Sequence, residues 1–475
     1  MSNPRSAPAR VIPIAAAPAG EVREASLYEK QKKIYPRSVH GWFARWRWAM
    51  VWFTQLLFYG LPWLPWNGRQ AVLFDLGARR FFIFDLVLYP QDFIYLTGIL
   101  VLSAYGLFFF TGARRPQTVY TEIFLWVEHR IEGERGARMK LDAGPMDANK
   151  LWRKGAKHAV WLAIGLWTGF TFVGYFTPIQ TLWAESFTLG FGPWEWFWVN
   201  FYGLATYGNA GFLREQVCKY MCPYARFQSA MFDRDTMIVS YDAARGDPRG
   251  TRARSADLAQ LNLGHCIDCG LCVHVCPVGI DIRDGLQYEC IACTACIDAC
   301  DGVMDKMKYP RGLIRYATQN GVAKGLSHAQ MFKRVLRPRV LIYGGMLLAI
   351  AGAFAASLAL RHTLKVDVVR DRTSLARLVD EGRIENVYRL QLMNATERPQ
   401  RYRVGVQGIA GAELAQGAEV DVAPAEARWV TLAVSVPPDS ARSLGPGAHP
   451  IRFQITPAGD VSAVVSEKST FVVPR

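Results

Sequence analysis

Residues 266–277 read CIDCGLCVHVCP, and residues 290–300 read CIACTACIDAC. Both blocks have the form C-x2-C-x2-C-x3-C: Cys266, Cys269, Cys272 and Cys276, then Cys290, Cys293, Cys296 and Cys300. Three thiolates within seven residues can wrap one face of an iron–sulfur cubane, while the fourth is too displaced to join them and reaches the neighbouring one. The spacing therefore predicts a ferredoxin-like insert with two [4Fe-4S] clusters. One is assigned to Cys266, Cys269, Cys272 and Cys300, the other to Cys276, Cys290, Cys293 and Cys296. Pro277 disfavours helix at Cys276 and turns the chain away, a place taken by Asp301 in the second block. The small residues Gly270, Ala292 and Ala295 allow backbone N–H groups near the sulfides. Paired zinc sites are the rival reading, but zinc knuckles usually join two C-x2-C units over a longer gap. His265 and His274 are read as surface or packing residues.

The flanks of this insert are apolar. The chain has 475 residues, is 51% hydrophobic and carries fifteen tryptophans, yet its mean hydropathy is only +0.06. Apolar residues must therefore be gathered in blocks, as in a membrane domain with soluble appendages. Five blocks suffice for a hydrocarbon layer of roughly 30 Å, which takes about 20 helical residues: 46–66, 92–111, 159–176, 193–213 and 340–360. Lys plus Arg between them number nine in 1–47, three in 67–91, ten in 112–157, none in 178–193 and eighteen in 214–339. This alternation predicts a cytoplasmic N-terminus and cysteine-bearing loop, with the C-terminal region on the far side of the membrane. It also accounts for the net charge of +15 without nucleic-acid binding. No secretory signal pattern precedes the first block, which is read as retained. All ten cysteines then face a reducing compartment, where clustered thiols point to metal or redox chemistry rather than disulfides.

The expected organisation is a multidomain membrane protein. A basic, disordered tail spans 1–40 and a four-span domain 41–230, with an amphipathic helix placing Val119, Ile123, Val127 and Ile131 against the bundle. The two-cluster domain covers 231–337, the fifth span 338–362, and an Ig-like β-sandwich 363–475. The sandwich rests on alternating runs at 387–394, 400–408, 428–436, 449–456 and 469–474. Two further cysteines, Cys218 and Cys222, lie just past the fourth block, four apart and hence on one face of a continuing helix ended by Pro223. With Met221 they make a soft site for Cu(I) or a redox dithiol, and Arg214, Lys219 and Arg226 favour the thiolate. The bland alternative is a pair of buried apolar cysteines. No histidine lies inside a block, which argues against a membrane haem, and no flavin or nucleotide fingerprint is visible. Glu195 within WEWFW reads as an interfacial residue.

Taken together, KIYPR (33–37), PQTVYTEIF (116–124), EHRIEGER (128–135), REQVCKYMCPYARFQSAMFD (214–233), DACDGVMDKMKYPRGLIRY (298–316), VVRDRTSL (368–375) and NVYRLQLMN (386–394) carry a resemblance. The chain resembles the CcoG family, also called FixG or RdxA, from Lys30 to the end, and its membrane half is similar to NapH-type proteins. The resemblance implies a cupric reductase that supplies Cu(I) for assembly of a cbb3-type cytochrome c oxidase. Its partners would be oxidase subunits or copper-delivery factors and an unidentified cytoplasmic electron donor, and Cys218 and Cys222 would be the copper or redox pair. The family's second pair, in C-G-x2-C-P-Q-T, is missing: Thr111 and Arg115 stand in those places. A quinol-linked conduit and a redox-sensing assembly scaffold are the alternatives.

Overall fold

The computed structural model describes residues 33–109, 116–221, 233–287, 289–333, 336–371, 376–414, 419–459 and 464–474. Its long helices are α1 (Trp42–Gly60), α2 (Phe93–Phe109), α3 (Pro116–Glu132), α4 (Ala148–Val173), α5 (Pro193–Thr206), α6 (Ala295–Met307) and α7 (Pro338–Ala359). Helix covers each of the five apolar blocks, with shifted ends. α4 begins eleven residues before its block, because Asp147 accepts a hydrogen bond from the Lys150 N–H and caps a charged first third that hydropathy overlooks. α1 gives way at Leu61–Trp63 to a 3-10 turn containing Pro62. Among the described residues α7 alone is long and apolar enough to cross a membrane by length and composition. α1 carries Arg45 and Arg47, α2 has 17 residues and α5 has 14, so the five-span bundle is not established by these helices.

The helices pack in pairs. α4 and α5 meet through glycines: a Cβ on Gly165 would lie 2.6 Å from the Gly203 carbonyl oxygen, and one on Gly169 would overlap the Val199 carbonyl. Only backbone fits there. α2 and α7 run antiparallel, with the Tyr95 hydroxyl donating to the Ser357 carbonyl and the Tyr105 hydroxyl to that of Tyr343. Large apolar side chains remain on outer faces, among them Leu56, Ile94, Phe201 and Leu348.

The C-terminal sandwich has two antiparallel sheets. One orders its main strands 413–414, 427–436, 384–394 and 364–370; the other orders 419–422, 400–407, 447–457 and 465–473. Inward residues of both, including Tyr388, Leu390, Tyr402, Phe453 and Phe471, make one core. All five runs predicted from alternation are strands. Strands 364–370 and 419–422 escaped the prediction, the first because it abuts the last apolar block and the second because it has four residues.

The connecting segments sort into two groups by contact. The 72–88 segment is a three-stranded meander whose Leu73, Phe82, Val87 and Tyr89 share a core with Met393, Ala395 and Ala425 of the sandwich. It also touches the turn after α4, where the Phe74 N–H donates to the Tyr175 carbonyl. Lys365 pairs with the buried Asp92 at 3.0 Å. At the opposite ends of the helices, the approach to α1, helix α3 and the cysteine-rich insert touch one another.

α3 packs Val127 and Ile131 into a core with Trp161 and Ile164 of α4. Its inner face carries Phe124 and Val127 together with Glu128 and Glu132, both almost wholly buried. These carboxylates meet Arg138 and Arg214 at 3.2 and 3.0 Å from Glu128, and Lys154 and Lys157 at 2.9 Å from Glu132. Burial of such charges is tolerated because each has an opposite partner.

Candidate metal centre

The eight cysteines of the two blocks are free thiols. Their loops are built alike. Asp268 and Gly270 in the first block, and Ala292 and Thr294 in the second, take φ values of 52°, 64°, 50° and 63°. Left-handed turns at matching positions curl each loop around its cavity. Gly270 adopts this freely, whereas β-branched Thr294 is a rare occupant of the region and is held by burial and by its hydroxyl, which donates to the Cys293 carbonyl at 2.6 Å.

The curled loops enclose two cavities. One is lined by Cys266, Cys269, Cys272 and Cys300, the other by Cys276, Cys290, Cys293 and Cys296, with Cys272 also on its wall. The fourth cysteine of each block thus lies in the cavity of the other block, as the sequence spacing predicts. Val239 covers one cavity and Tyr241 the other, two residues apart on one strand and so on one face. Ile280 and Ile282 complete the apolar shell of the second. Arg283 lines the first, its guanidinium held at 2.6 Å by Asp281 and 2.5 Å by Asp268.

Burial pushes the Cys272 thiol up to about 11 and those of Cys293 and Cys300 up to about 12. At neutral pH such thiols keep their protons unless a metal displaces them, since a coordinating thiol is deprotonated outright. Four soft donors around each enclosed, largely apolar space fit an iron–sulfur cluster. Among the described residues, no three His, Cys, Asp or Glu side chains close tightly enough to hold a single ion.

The insert is clamped to α1. Asp298 of α6, 8% exposed, accepts from the N–H groups of Phe43 at 3.2 Å and Ala44 at 2.7 Å, supplying the cap that Gly41 lacks. A Cβ on Gly41 would overlap the Asp298 carboxyl. Arg47 donates to the Cys293 carbonyl at 2.9 Å and pairs with Glu122 of α3 at 2.8 Å.

The remaining predicted residues divide. His265 accepts from Arg245 at 2.9 Å and stacks on Tyr309, so it is a packing residue; the His274 ring is exposed. Glu195 takes a hydrogen bond from Thr177 at 3.3 Å. Beyond α5 the chain continues as π-helix over Tyr207–Leu213, breaks at Arg214 with φ 39° and ψ −111°, and resumes as π-helix over Val217–Met221. π-Segments are often found at functional sites. Arg214 donates to Glu128 at 3.0 Å and to the Gly211 carbonyl at 2.9 Å, which fixes the break. Cys218 falls in the second π-segment and Met221 at its end is exposed. Cys222 lies outside the described residues, as do Thr111 and Arg115, so the shared face expected of Cys218 and Cys222 lies outside them too. Sequence reasoning missed Glu128, Glu132, Arg47 and Asp298; the signal of the two glutamates is in EHRIEGER and that of Asp298 in DACDGVMDKM, Arg47 has none of this kind, and the partners that explain these residues include ones remote in the chain.

Comparison with known proteins gives these features relatives. Residues 213–319 match the family described as a 4Fe-4S dicluster domain, and residues 354–474 the one described as an IG-like fold at the C-terminal of FixG. The chain is 37% identical over 457 residues to the nitrogen fixation protein FixG of Rhizobium meliloti, covering 88% of this chain and 86% of that one. It is 36% identical over 453 residues to protein RdxA of Cereibacter sphaeroides, covering 91% and 95%. A solved FixG-related protein from Vibrio parahaemolyticus, 24% identical, aligns with 23% of this chain and 95% of its own at a TM-score of 0.21. The cysteine-rich insert is an iron–sulfur-binding segment.

Proposed function

The chain belongs to the FixG/RdxA family and is an iron–sulfur electron-transfer protein, and from that premise we propose that it reduces Cu(II) to Cu(I) for assembly of a cbb3-type cytochrome c oxidase. The observation that carries the reading is the pair of adjoining thiol cavities with exchanged fourth cysteines. In this reading Cys266, Cys269, Cys272 and Cys300 hold one [4Fe-4S] cluster, and Cys276, Cys290, Cys293 and Cys296 a second. When bound, such clusters supply one-electron transfer. Val239, Tyr241, Ile280 and Ile282 exclude water from them, Arg283 sets positive charge beside the first, and Arg47 fixes the Cys293 loop of the second.

Copper is the substrate. Cys218, Cys222 and Met221 offer the soft sulfur donors that favour Cu(I) over Cu(II), so holding the ion there drives its reduction. Arg214, anchored on Glu128, positions the turn that leads to Cys218. The two-sided sorting of the loops and the apolar outer faces support a bundle of five crossings in an inner membrane. The insert and α3 would then lie on the cytoplasmic side, and the 72–88 meander and the sandwich on the periplasmic side. The copper pair and the insert share a side, so no electron has to cross the hydrocarbon. Replacing Cys218 and Cys222 with Ser is expected to abolish Cu(I) formation, followed with a Cu(I)-specific chelator, while iron content and visible absorbance stay unchanged. Undiminished Cu(II) reduction by that variant overturns the copper reading.

A further inference from the structure

A cavity of about 1200 Å³ lies between the start of α1, one face of α3 and the insert. Its inner wall includes Cys293, which also lines the second thiol cavity. One residue therefore separates this space from the proposed cluster, and a ligand here sits where electrons can be passed on. Arg37, Arg45 and Arg130 line the cavity and are exposed, and none has a carboxylate within salt-bridge distance among the described residues. Trp42 and Trp126, 57% and 51% exposed, present indole rings to the same space. On the same lining Glu122 is paired with Arg47, Asp305 with Arg311, and Asp298 accepts from the α1 amides, while Asp301 accepts from the Gly312 N–H. The three guanidiniums thus outnumber Asp301 and call for an anion that accepts several hydrogen bonds, best a phosphate, and the indoles suit a planar aromatic ligand.

We infer that this cavity binds a phosphorylated flavin, whose reduced form is the electron donor; the inference rests on the electron-transfer reading above and names its donor. A quinol has no charge to satisfy the arginines. A nicotinamide gives up a hydride, two electrons together, and does not suit a one-electron acceptor. A dihydroflavin releases its electrons singly. The sum balances: one anionic dihydroflavin and two Cu(II) give one oxidised flavin, one proton and two Cu(I). The N–H bond of the flavin is broken, its proton leaves to solvent, and copper is reduced. The chain has no Gly-rich phosphate loop, and guanidiniums take over that task here.

The test uses the full-length, iron-loaded protein in detergent, with FMN as probe and riboflavin and phosphatidylglycerol vesicles as separate arms. FMN fluorescence is expected to be quenched saturably. Riboflavin, which lacks the phosphate, is expected to bind at least about tenfold more weakly, and Arg45→Glu with Arg130→Glu to weaken FMN by about tenfold or more. Trp126→Leu is expected to lower the quenching amplitude. Equal binding of FMN and riboflavin, indifference to the arginine changes, or vesicles displacing FMN overturns the inference, the last by making a lipid headgroup the source of the phosphate. Cu(II) reduction by the same protein after dithionite has reduced it and been removed by gel filtration reads the copper function without flavin. Its failure removes that function, while failure of FMN binding alone removes only the donor.

Discussion

Asp298→Ala isolates the clamp between the insert and the first helix. The carboxylate accepts two backbone hydrogen bonds, of 2.7 Å from Ala44 and 3.2 Å from Phe43, at a site where it is 8% exposed and Ala44 5%. Charge-assisted bonds contribute about 1.5–3 kcal/mol each, the longer one at the low end. The positive end of the α1 dipole adds about 0.3–1 kcal/mol. Water entering the space left by the side chain recovers part of this, which leaves a cost of about 3 kcal/mol. At 1.4 kcal/mol per decade that is a roughly hundredfold rise in opening. Hydrogen exchange of the full-length protein, read by mass spectrometry on a peptide spanning Phe43 and Ala44, measures it directly. Asp298→Asn keeps the shape and an acceptor but loses the charge, and is expected to show about half the effect in free energy. Visible absorbance reports separately on the neighbouring Cys296 and Cys300. Exchange at the wild-type rate in Asp298→Ala, with absorbance retained, refutes the clamp.

Exchange of the fourth cysteines makes a paired prediction. Cys300→Ser combined with Cys269→Ser is expected to lose no more iron than either alone, about half the wild-type content, whereas Cys300→Ser combined with Cys276→Ser loses nearly all; loss of nearly all the iron from both double variants assigns each block to its own cluster. Acid should loosen the first cavity through Asp281. Hydrogen bonds from Arg283 hold its carboxyl below the usual range. Its folded value is depressed, so its stabilisation is complete above the unfolded aspartate value, about 3.9, and fades as pH falls through the lower folded value. The stability difference between wild type and Arg283→Gln, followed by near-ultraviolet circular dichroism, should therefore be flat near neutrality and close in acid. A difference that persists unchanged to the lowest pH contradicts this origin.

The cysteine cavities were legible because ligand spacing is a local property: three thiols spaced three residues apart can curl around one body wherever the loop sits. Five of the sandwich strands were legible because each buries alternate residues, as in Leu390, Leu392 and their neighbours. Glu128 and Glu132 were not, since apolar periodicity assigns a glutamate to the solvent side and gives no sign that Lys157 or Arg214 will come to meet it. Asp298 and Arg47 were hidden for the same reason. The 72–88 meander was passed over because its strands have three or four residues each, too few to show a period, and their apolar partners lie on the far side of more than three hundred residues of chain.

That separation has a temporal side. The carboxylate that caps the first helix lies 254 residues downstream of Ala44. A ribosome adding about 5–20 residues per second needs on the order of ten to fifty seconds to reach it. Throughout synthesis the amides that open α1 wait uncapped, and they are satisfied only when the second cysteine loop has been made and folded back. The N-terminal end of the molecule is secured by one of its later-made parts, so truncated chains that stop short of the insert lack the fastening for their first helix.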